Sequence, residues 1–316
     1  MVEQGGLKVT TSLDLSLQEL AQKTVTDEVG KLKDLLVSNG AALVTKPQTG
    51  EILAMVGSKD YFDTEHDGNV NVTIALRQPG SSIKPINYAL GLINDYSAAT
   101  PFVDKTVCFP NPGQPTYCPV NYDGRFHGVL LMRDALGSSI NIPAVKMLKL
   151  NGVENMISLA QSMGITSLTD PSRYGLSLTL GGGEVSMVDM ATAFGVFANQ
   201  GYRVDLHPIL KVVGSSGRVL EEYKPWASPI FGKKVLEAGV AFIISNILSD
   251  NNARAIGFGT GSQLAIPNKI VSVKNGNTDD KRDNWTIGYT PSILVETWVG
   301  NNNNTPMHPT LSSGVT

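Results

Sequence analysis

The chain has 316 residues, 41% hydrophobic and 17% charged, which is enough to bury a sizeable core as one large domain or two moderate ones. A formal net charge of −3 and a pI near 5.8 provide no basic field for nucleic acid or an anionic membrane surface. No run approaches the roughly 18 consecutive apolar residues of a membrane span, and Met1-Val2-Glu3-Gln4-Gly5-Gly6 lacks the charged and apolar regions of a signal peptide.

In chain order, Leu7-Lys8-Val9-Thr10-Thr11 is strand-like, and residues 16–38 place Leu17, Leu20, Ala21, Val25, Val29, Leu32 and Leu36 at helical spacing. Two strands, 41–45 and 51–56, flank the turn residues Pro47-Gln48-Thr49-Gly50, which suit a hairpin near the middle of a sheet. The polar stretch 58–80 reads as an exposed loop in which His66 is a surface residue. Helical periodicity runs over 81–95, with Pro85 tolerated in the first turn.

Residues 100–128 are rich in proline and aromatic residues without a clear period, as in an irregular crossover. Helices are expected over 129–136, 142–150, 153–163 and 187–199. Gly181-Gly182-Gly183 marks a tight turn rather than a phosphate cradle, since the Lys and Ser/Thr of a P-loop are absent, and Glu184 beside it reads as a turn or cap residue. Strands at 208–213 and 219–223, a helix at 234–248 and a three-strand meander at 270–273, 284–289 and 293–299 complete the chain. Strands at both ends with helices between them imply an α+β fold: an antiparallel sheet flanked by helices, with a mostly helical subdomain. The two cysteines, Cys108 and Cys118, flank a proline-rich loop and are either a local disulfide or two free thiols.

Within Pro79-Gly80-Ser81-Ser82-Ile83-Lys84-Pro85, Ser81 and Lys84 stand three apart at a predicted helix start, where positions i and i+3 share a face. A lysine out of water can take the proton of a serine and turn it into a nucleophile. Alone the pair is weak, because S-x-x-K occurs about once by chance in a chain of this length at average residue usage. It gains partners in order: Ser139-Ile140-Asn141 supplies S-x-N, and Lys274-Asn275-Gly276 supplies a lysine-x-glycine at a strand. The series S-x-x-K, S-x-N, K-T-G belongs to serine acyltransferases acting on peptides and β-lactams. In that chemistry Ser81 attacks the carbonyl, Lys84 accepts its proton, and Ser139 with Asn141 relays the proton and holds the substrate amide. Lys274 offers positive charge to a carboxylate, Gly276 permits close backbone approach, and the N–H groups of Ser81 and Asn277 form an oxyanion hole. Ser249-Asp250-Asn251 spells S-D-N but lies only 23 residues before Lys274, and capping or turn chemistry explains it better.

At this point the chain resembles the transpeptidase domain of class A, bifunctional penicillin-binding proteins. The likeness runs through Val9-Thr10-Thr11-Ser12-Leu13-Asp14, Gly50-Glu51-Ile52-Leu53-Ala54-Met55-Val56-Gly57, Arg77-Gln78-Pro79-Gly80-Ser81-Ser82 and Asn121-Tyr122-Asp123-Gly124. It continues through residues 135–145, Leu248-Ser249-Asp250-Asn251 with Arg254, Arg282-Asp283-Asn284-Trp285, Gly288-Tyr289-Thr290-Pro291 and Trp298-Val299-Gly300. The resemblance implies a D-Ala-D-Ala transpeptidase or carboxypeptidase that cross-links peptidoglycan through an ester on Ser81 and is acylated by penicillin. Its implied partners are stem peptides ending in D-Ala-D-Ala and β-lactams, with no cofactor and no metal; His127, His207 and His308 show no metal-ligand spacing. It also implies one domain over 1–316, on the extracytoplasmic face of a bacterial membrane, from a longer parent. Such a parent carries a membrane helix and a glycosyltransferase domain ahead of it, and a C-terminal helix beyond Ser312-Ser313-Gly314 that covers a sheet face otherwise exposed.

The third motif departs from the family's K-T-G-T or K-S-G-T, because both hydroxyl positions are amides, Asn275 and Asn277. Thr278 is a possible substitute hydroxyl, although alternation along a regular strand points it to the other face. A catalytically weakened domain that binds stem peptides or partners is therefore the alternative to an active enzyme. A serine β-lactamase shares fold and motifs, but the separation of 135 residues between Ser139 and Lys274 argues against it. Trp285 reads as packed on the sheet, and Tyr122 and Asp123 either shape the cleft rim or are only structural.

Overall fold

The computed structural model describes residues 5–110, 113, 115–224, 232–278 and 280–308. Its centre is a five-stranded antiparallel sheet in the order Ser272–Asn277, Asp283–Tyr289, Leu294–Gly300, Asn39–Lys46, Glu51–Val56. Leu294–Gly300 joins the two ends of the chain by pairing with Asn39–Lys46, from Leu294 opposite Thr45 to Gly300 opposite Asn39. Of the two N-terminal strands only Asn39–Lys46 is interior, buried at all but its last residue; Glu51–Val56 lies at the edge and alternates in burial. That edge is blunted locally. The Gln18 carboxamide accepts from Met55 N at 2.7 Å and donates to Met55 O at 3.1 Å, imitating a further strand.

Gln18 sits on the helix Leu15–Lys31, which Asp14 caps by accepting from Leu17 N. The helix stops short of the expected residue 38 because a short 3-10 turn, Lys33–Leu35, follows and Leu36 adopts a left-handed φ of 57°. Val25 and Val29 of this helix, with Met307, cover Ala42, Val56 and Val299 on one sheet face, while Val295 on the same sheet stays 39% exposed. The other face carries the main core. Leu43, Trp285, Ile287, Leu294 and Trp298 meet Ile83, Ile86, Met190, Phe194, Ile244 and Ile247 from the helices Lys84–Ile93, Met187–Ala198 and Ala238–Ser249 and the turn that precedes the first.

In two places a strand stands where the sequence leads one to expect the start of a helix. Gly128–Leu131 is a strand paired with Pro101–Asp104, and helix begins only at Met132, because Val129, Leu130 and Leu131 alternate exposed, buried, exposed. Lys233–Lys234 pairs with Tyr202–Arg203, and the helix expected from residue 234 starts at Ala238. The strands Lys8–Thr11, Ile209–Val213 and Val219–Glu222 form a separate three-stranded sheet. Cys108 and Cys118 are joined by a disulfide. Among the described residues no helix is long and apolar enough to cross a membrane. Ser312-Ser313-Gly314 lies outside the described residues.

One residue opposes the fold. Glu296 lies in register with Ile287 and Leu43 on the core face, fully buried, and neither carboxyl oxygen has a hydrogen-bond partner. Burial pushes this carboxyl well above its ordinary value of 4.5 and keeps it protonated. The unfolded chain releases this proton above pH ~4.5 and the folded chain retains it, so stability declines as pH rises from there toward the folded pKa. Glu296→Leu should therefore be more stable than the parent, by a margin growing ~1.4 kcal/mol per pH unit across that window. Urea denaturation at pH 5, 6 and 7 checks this, and a margin that does not change with pH would show that Glu296 is not held neutral.

Candidate active site

Gly80–Ile83 forms a single 3-10 turn that runs into the helix at Lys84, with Lys84 N donating to Ser81 O. This turn is pressed against the end of the strand Ser272–Asn277 so closely that side chains are excluded. A Cβ on Gly276 would lie 2.1 Å from Pro79 O and 2.7 Å from Ser82 N, and one on Gly80, whose φ is +55°, would lie 2.4 Å from Asn277 O. Ser82 Oγ donates to Pro79 O at 2.7 Å, and the buried Trp285 on the neighbouring strand donates its indole N–H to Gln78 O at 2.9 Å. Trp285 thus packs on the sheet, as its neighbours suggested, and also ties the sheet to the turn that presents Ser81.

The Lys84 helix is fixed in turn to Asn141–Asn151 by a buried amide cluster. Asn87 Nδ2 donates to Ala144 O and to Thr179 Oγ1, each at 2.9 Å, and Asn151 Nδ2 donates to Asn87 O and Oδ1, each at 2.8 Å. Between these helices the fully buried Lys84 ammonium donates to Ser139 O at 2.5 Å and Asn141 Oδ1 at 2.7 Å, and approaches Ser139 Oγ and Ile140 O at 3.4 Å. Ser139 holds a left-handed φ of 59°, a conformation that costs a non-glycine residue of order 1 kcal/mol and turns its carbonyl and hydroxyl to one side. Ser138 Oγ bonds Ala253 O at 2.8 Å and steadies this turn from behind.

From the opposite wall Lys274 Nζ donates to Ser139 Oγ at 2.9 Å and to Asn275 O at 2.6 Å. Burial, then the nearby Arg254 guanidinium, lowers this ammonium from 10.5 to about 7. The Ser139 hydroxyl is therefore shared between two buried amines, one of them poised near neutrality.

Ser81, Ser139, Asn141, Asn275 and Asn277 line one cavity of about 150 Å3, which Asn121, Tyr122, Asp123, Gly257 and Phe258 also line. Gly276 lies behind that wall, against the turn. Thr278 is elsewhere: it lines a second cavity of about 680 Å3 with Glu184, Asp280 and Asp283, and its hydroxyl accepts from Arg282 N at 2.9 Å and Asp283 N at 3.0 Å. Its hydroxyl is committed to the turn, not to the Ser81 cavity. Ser249 Oγ bonds Asn246 O at the end of its own helix and lines neither cavity. Sequence reasoning assigned no role to Arg254, whose charge adds to burial in lowering Lys274, nor to Lys281, whose amine meets Tyr122 Oη at 2.5 Å and lies 4.8 Å over its ring. Arg254 belongs to a family motif without a stated role and Lys281 to none; only their placement in the fold reveals what they touch. No cluster of three or more potential metal ligands occurs among the described residues.

Residues 40–306 match the family model described as the penicillin binding protein transpeptidase domain. Penicillin-binding protein 1A of Neisseria cinerea is 31% identical over 256 residues, covering 80% of this chain and 31% of the relative. Among solved structures, penicillin-binding protein 1A from Haemophilus influenzae superposes with a TM-score of 0.75 at 24% identity, over 89% of this chain and 46% of that one. PonA1 from Mycobacterium tuberculosis, in complex with penicillin V, gives 0.78 at 21% identity, over 97% and 80%. Both structural likenesses are likenesses of fold. The chain belongs to the transpeptidase domains of class A penicillin-binding proteins, within the penicillin-binding and β-lactamase-like superfamily. It spans about a third of the length of the curated relatives it matches.

Gly276→Ala should part the turn from the strand and slow covalent labelling by a fluorescent penicillin on the order of 100-fold, the scale expected of a misplacement near 1 Å. Gly288→Ala is the control within the same sheet, since a Cβ there meets only Val271 and Val273 methyls at 3.6 and 3.8 Å. Equal labelling rates for the two variants would deny the contact its positioning role.

Proposed function

We propose that this domain is a D-Ala-D-Ala transpeptidase that forms an acyl-enzyme on Ser81 and is covalently blocked by penicillins. The observation that carries this is one hydroxyl, Ser139 Oγ, set 2.9 Å from Lys274 Nζ and 3.4 Å from Lys84 Nζ in the cavity that Ser81 lines. Lys84, once neutral, accepts the Ser81 proton as Oγ attacks the carbonyl of the penultimate D-Ala. The N–H groups of Ser81 and Asn277 receive the oxyanion, a contribution worth about 3 kcal/mol where one such donor has been removed from other enzymes. As the tetrahedral adduct collapses, the C–N bond breaks and the proton travels through Ser139 to the departing D-Ala amine. An amine of a second stem peptide then attacks the ester, the C–O bond breaks, and Ser81 regains its proton. In a β-lactam the amide broken is within the ring, so the leaving amine stays tethered and the ester persists. The substrate's terminal carboxylate docks against Lys274 and the Asn275-Gly276-Asn277 wall. The reading sets the domain on the extracytoplasmic face of a bacterial membrane, as part of a longer anchored protein.

A specific observation favours a weakened variant of the same site. Asn275 and Asn277 both line the Ser81 cavity, and Asn277 Oδ1 is buried there without a partner. An amide is longer than the family's hydroxyl and moves a docked carboxylate outward. Incubation with fluorescent penicillin and peptide mapping should place the label on Ser81 and lose it in Ser81→Ala; a folded parent that takes no label sinks the acyl-enzyme reading. Asn275→Thr with Asn277→Thr should speed labelling by roughly 10- to 100-fold.

The carboxylate docks on charged Lys274, whose free-protein pKa is about 7. The second-order acylation rate constant for benzylpenicillin, which reports the free protein, should therefore fall as pH rises through that value. Lys274→Arg keeps its charge and should flatten the fall. A rise over the same range would instead make Lys274 a proton acceptor.

A further inference from the structure

The helix Asn141–Asn151 begins without a side-chain cap of its own. Its first two amides are instead taken in trans: Asn121 Oδ1 accepts from Asn141 N at 3.1 Å and from Ile142 N at 3.2 Å. The other end of this carboxamide is fully used, since Nδ2 donates to Asp104 Oδ1 at 3.0 Å, Asp104 Oδ2 at 2.8 Å and Arg125 O at 2.7 Å. Asp104 is 1% exposed, and its remaining capacity goes to His127, whose N and Nδ1 lie 2.8 and 3.1 Å from Oδ2. His127 Nε2 reaches Oδ2 of Asp123, which lines the cavity, at 3.1 Å. Asn141, so placed, donates Nδ2 to Val120 O at 2.9 Å and offers Oδ1 to Lys84 Nζ at 2.7 Å. An unbroken series of direct bonds thus runs from a buried carboxylate through Asn121 and Asn141 to the Lys84 amine.

We infer that Asn121, oriented by Asp104, is a positioning residue for acylation: it caps the Asn141 helix in trans and so sets where Lys84 holds its ammonium. The assignment rests on Ser81 being the acylated nucleophile. A carboxamide suits the position because it alone presents two donors to a carboxylate and an acceptor to two helix amides. An unfilled cap lets the first turn fray, and Asn141 Oδ1 moves with it. No base at Lys84 tolerates much displacement, because proton transfer requires hydrogen-bond reach to the serine.

Stopped-flow acylation by a fluorescent penicillin separates the covalent rate constant from the preceding dissociation constant. Asn121→Ala should lower the covalent rate constant on the order of 100-fold and leave the dissociation constant within about 2-fold, a split that simple loss of folded protein does not produce. Asn121→Asp sets two carboxylates together and should lose a similar factor. Adding Asp104→Asn to it exchanges donor and acceptor, puts the negative charge at the helix N-terminus and should restore the rate to within about 5-fold of the parent. Equal rates in Asn121→Ala and parent, or an exchanged pair as slow as Asn121→Asp alone, overturns the inference, and the pair decides it should the alanine variant not fold. If the parent itself takes no label, the acyl-enzyme reading falls, and amide hydrogen exchange then tests the cap. Exchange over residues 141–148 should accelerate at least about 10-fold in Asn121→Ala while residues 187–198 hold; unchanged exchange in both segments overturns the cap.

Discussion

The site exists because two pieces of backbone touch without side chains between them. Gly276 at the end of one strand and Gly80 at the head of a 3-10 turn let the sheet and the helical layer meet at main-chain distance. Neither layer positions Ser81 by itself: the turn presents it, and the strand and the Trp285 indole hold the turn. The strand that performs this contact lies at the edge of the central sheet. Its outer side is therefore not occupied by another strand of that sheet, and the same strand can be supported from within while Asn275 and Asn277 face a cavity. A β-substituent at either glycine costs more than its own clash, since backbone on the far side cannot move without carrying a layer of the core with it.

Electrostatics adds a second dependence. Two ammonium groups are buried on opposite walls, and an uncompensated buried charge costs several kcal/mol even after relaxation. The molecule answers the two differently. Lys84 is surrounded by oxygen acceptors from three consecutive residues, which keep its charge tolerable at a fixed point. Lys274 is lowered to about 7 by burial first and by its cationic neighbour Arg254 second. Ser139 stands between them in a strained conformation that presents a carbonyl to one amine and a hydroxyl to both. Strain at that residue makes sense as the cost of facing two ways at once.

How much of this was legible beforehand follows from the range of the interactions. Ser81 with Lys84, and Ser139 with Asn141, announce themselves by local spacing, and the glycine of Lys274-Asn275-Gly276 already suggested close approach. Leu130 lies at the start of the helix expected over 129–136, and Pro101–Asp104 lies in the proline- and aromatic-rich stretch without a period, so the strand pairing between them was missed, and Asp104 with it. Arg254 was quoted as part of a motif with no role attached, because its effect on Lys274 is a matter of distance between segments far apart in sequence. Glu296 was invisible for the opposite reason. In Leu294-Val295-Glu296-Thr297-Trp298 both alternating faces contain apolar residues, so nothing local says which face enters the core.

The third motif sets the limit on how far architecture implies activity. The contact that needs Gly276 is kept, Lys274 still reaches Ser139, and Trp285 still binds the turn, so the backbone frame around the site is complete. Only the two side chains that face the cavity on either side of Gly276 differ from the family's pattern. The side chains at those positions add one long contact, Lys274 Nζ to Asn275 Oδ1 at 3.4 Å, while the strand is held through its glycine, its ladder to Asp283–Tyr289 and the lysine. Exchange of hydroxyl for amide there can therefore alter what the cavity accepts while leaving Ser81 and both amines in their places. Thr278 stands apart from these positions, since it lines the neighbouring cavity and its hydroxyl oxygen accepts from Arg282 N and Asp283 N. On the proposed reading, Ser81, Lys84 and Ser139 carry bond cleavage, Lys274 touches both tasks through Ser139 and the substrate carboxylate, and Asn275 and Asn277 bear on recognition of the substrate's end.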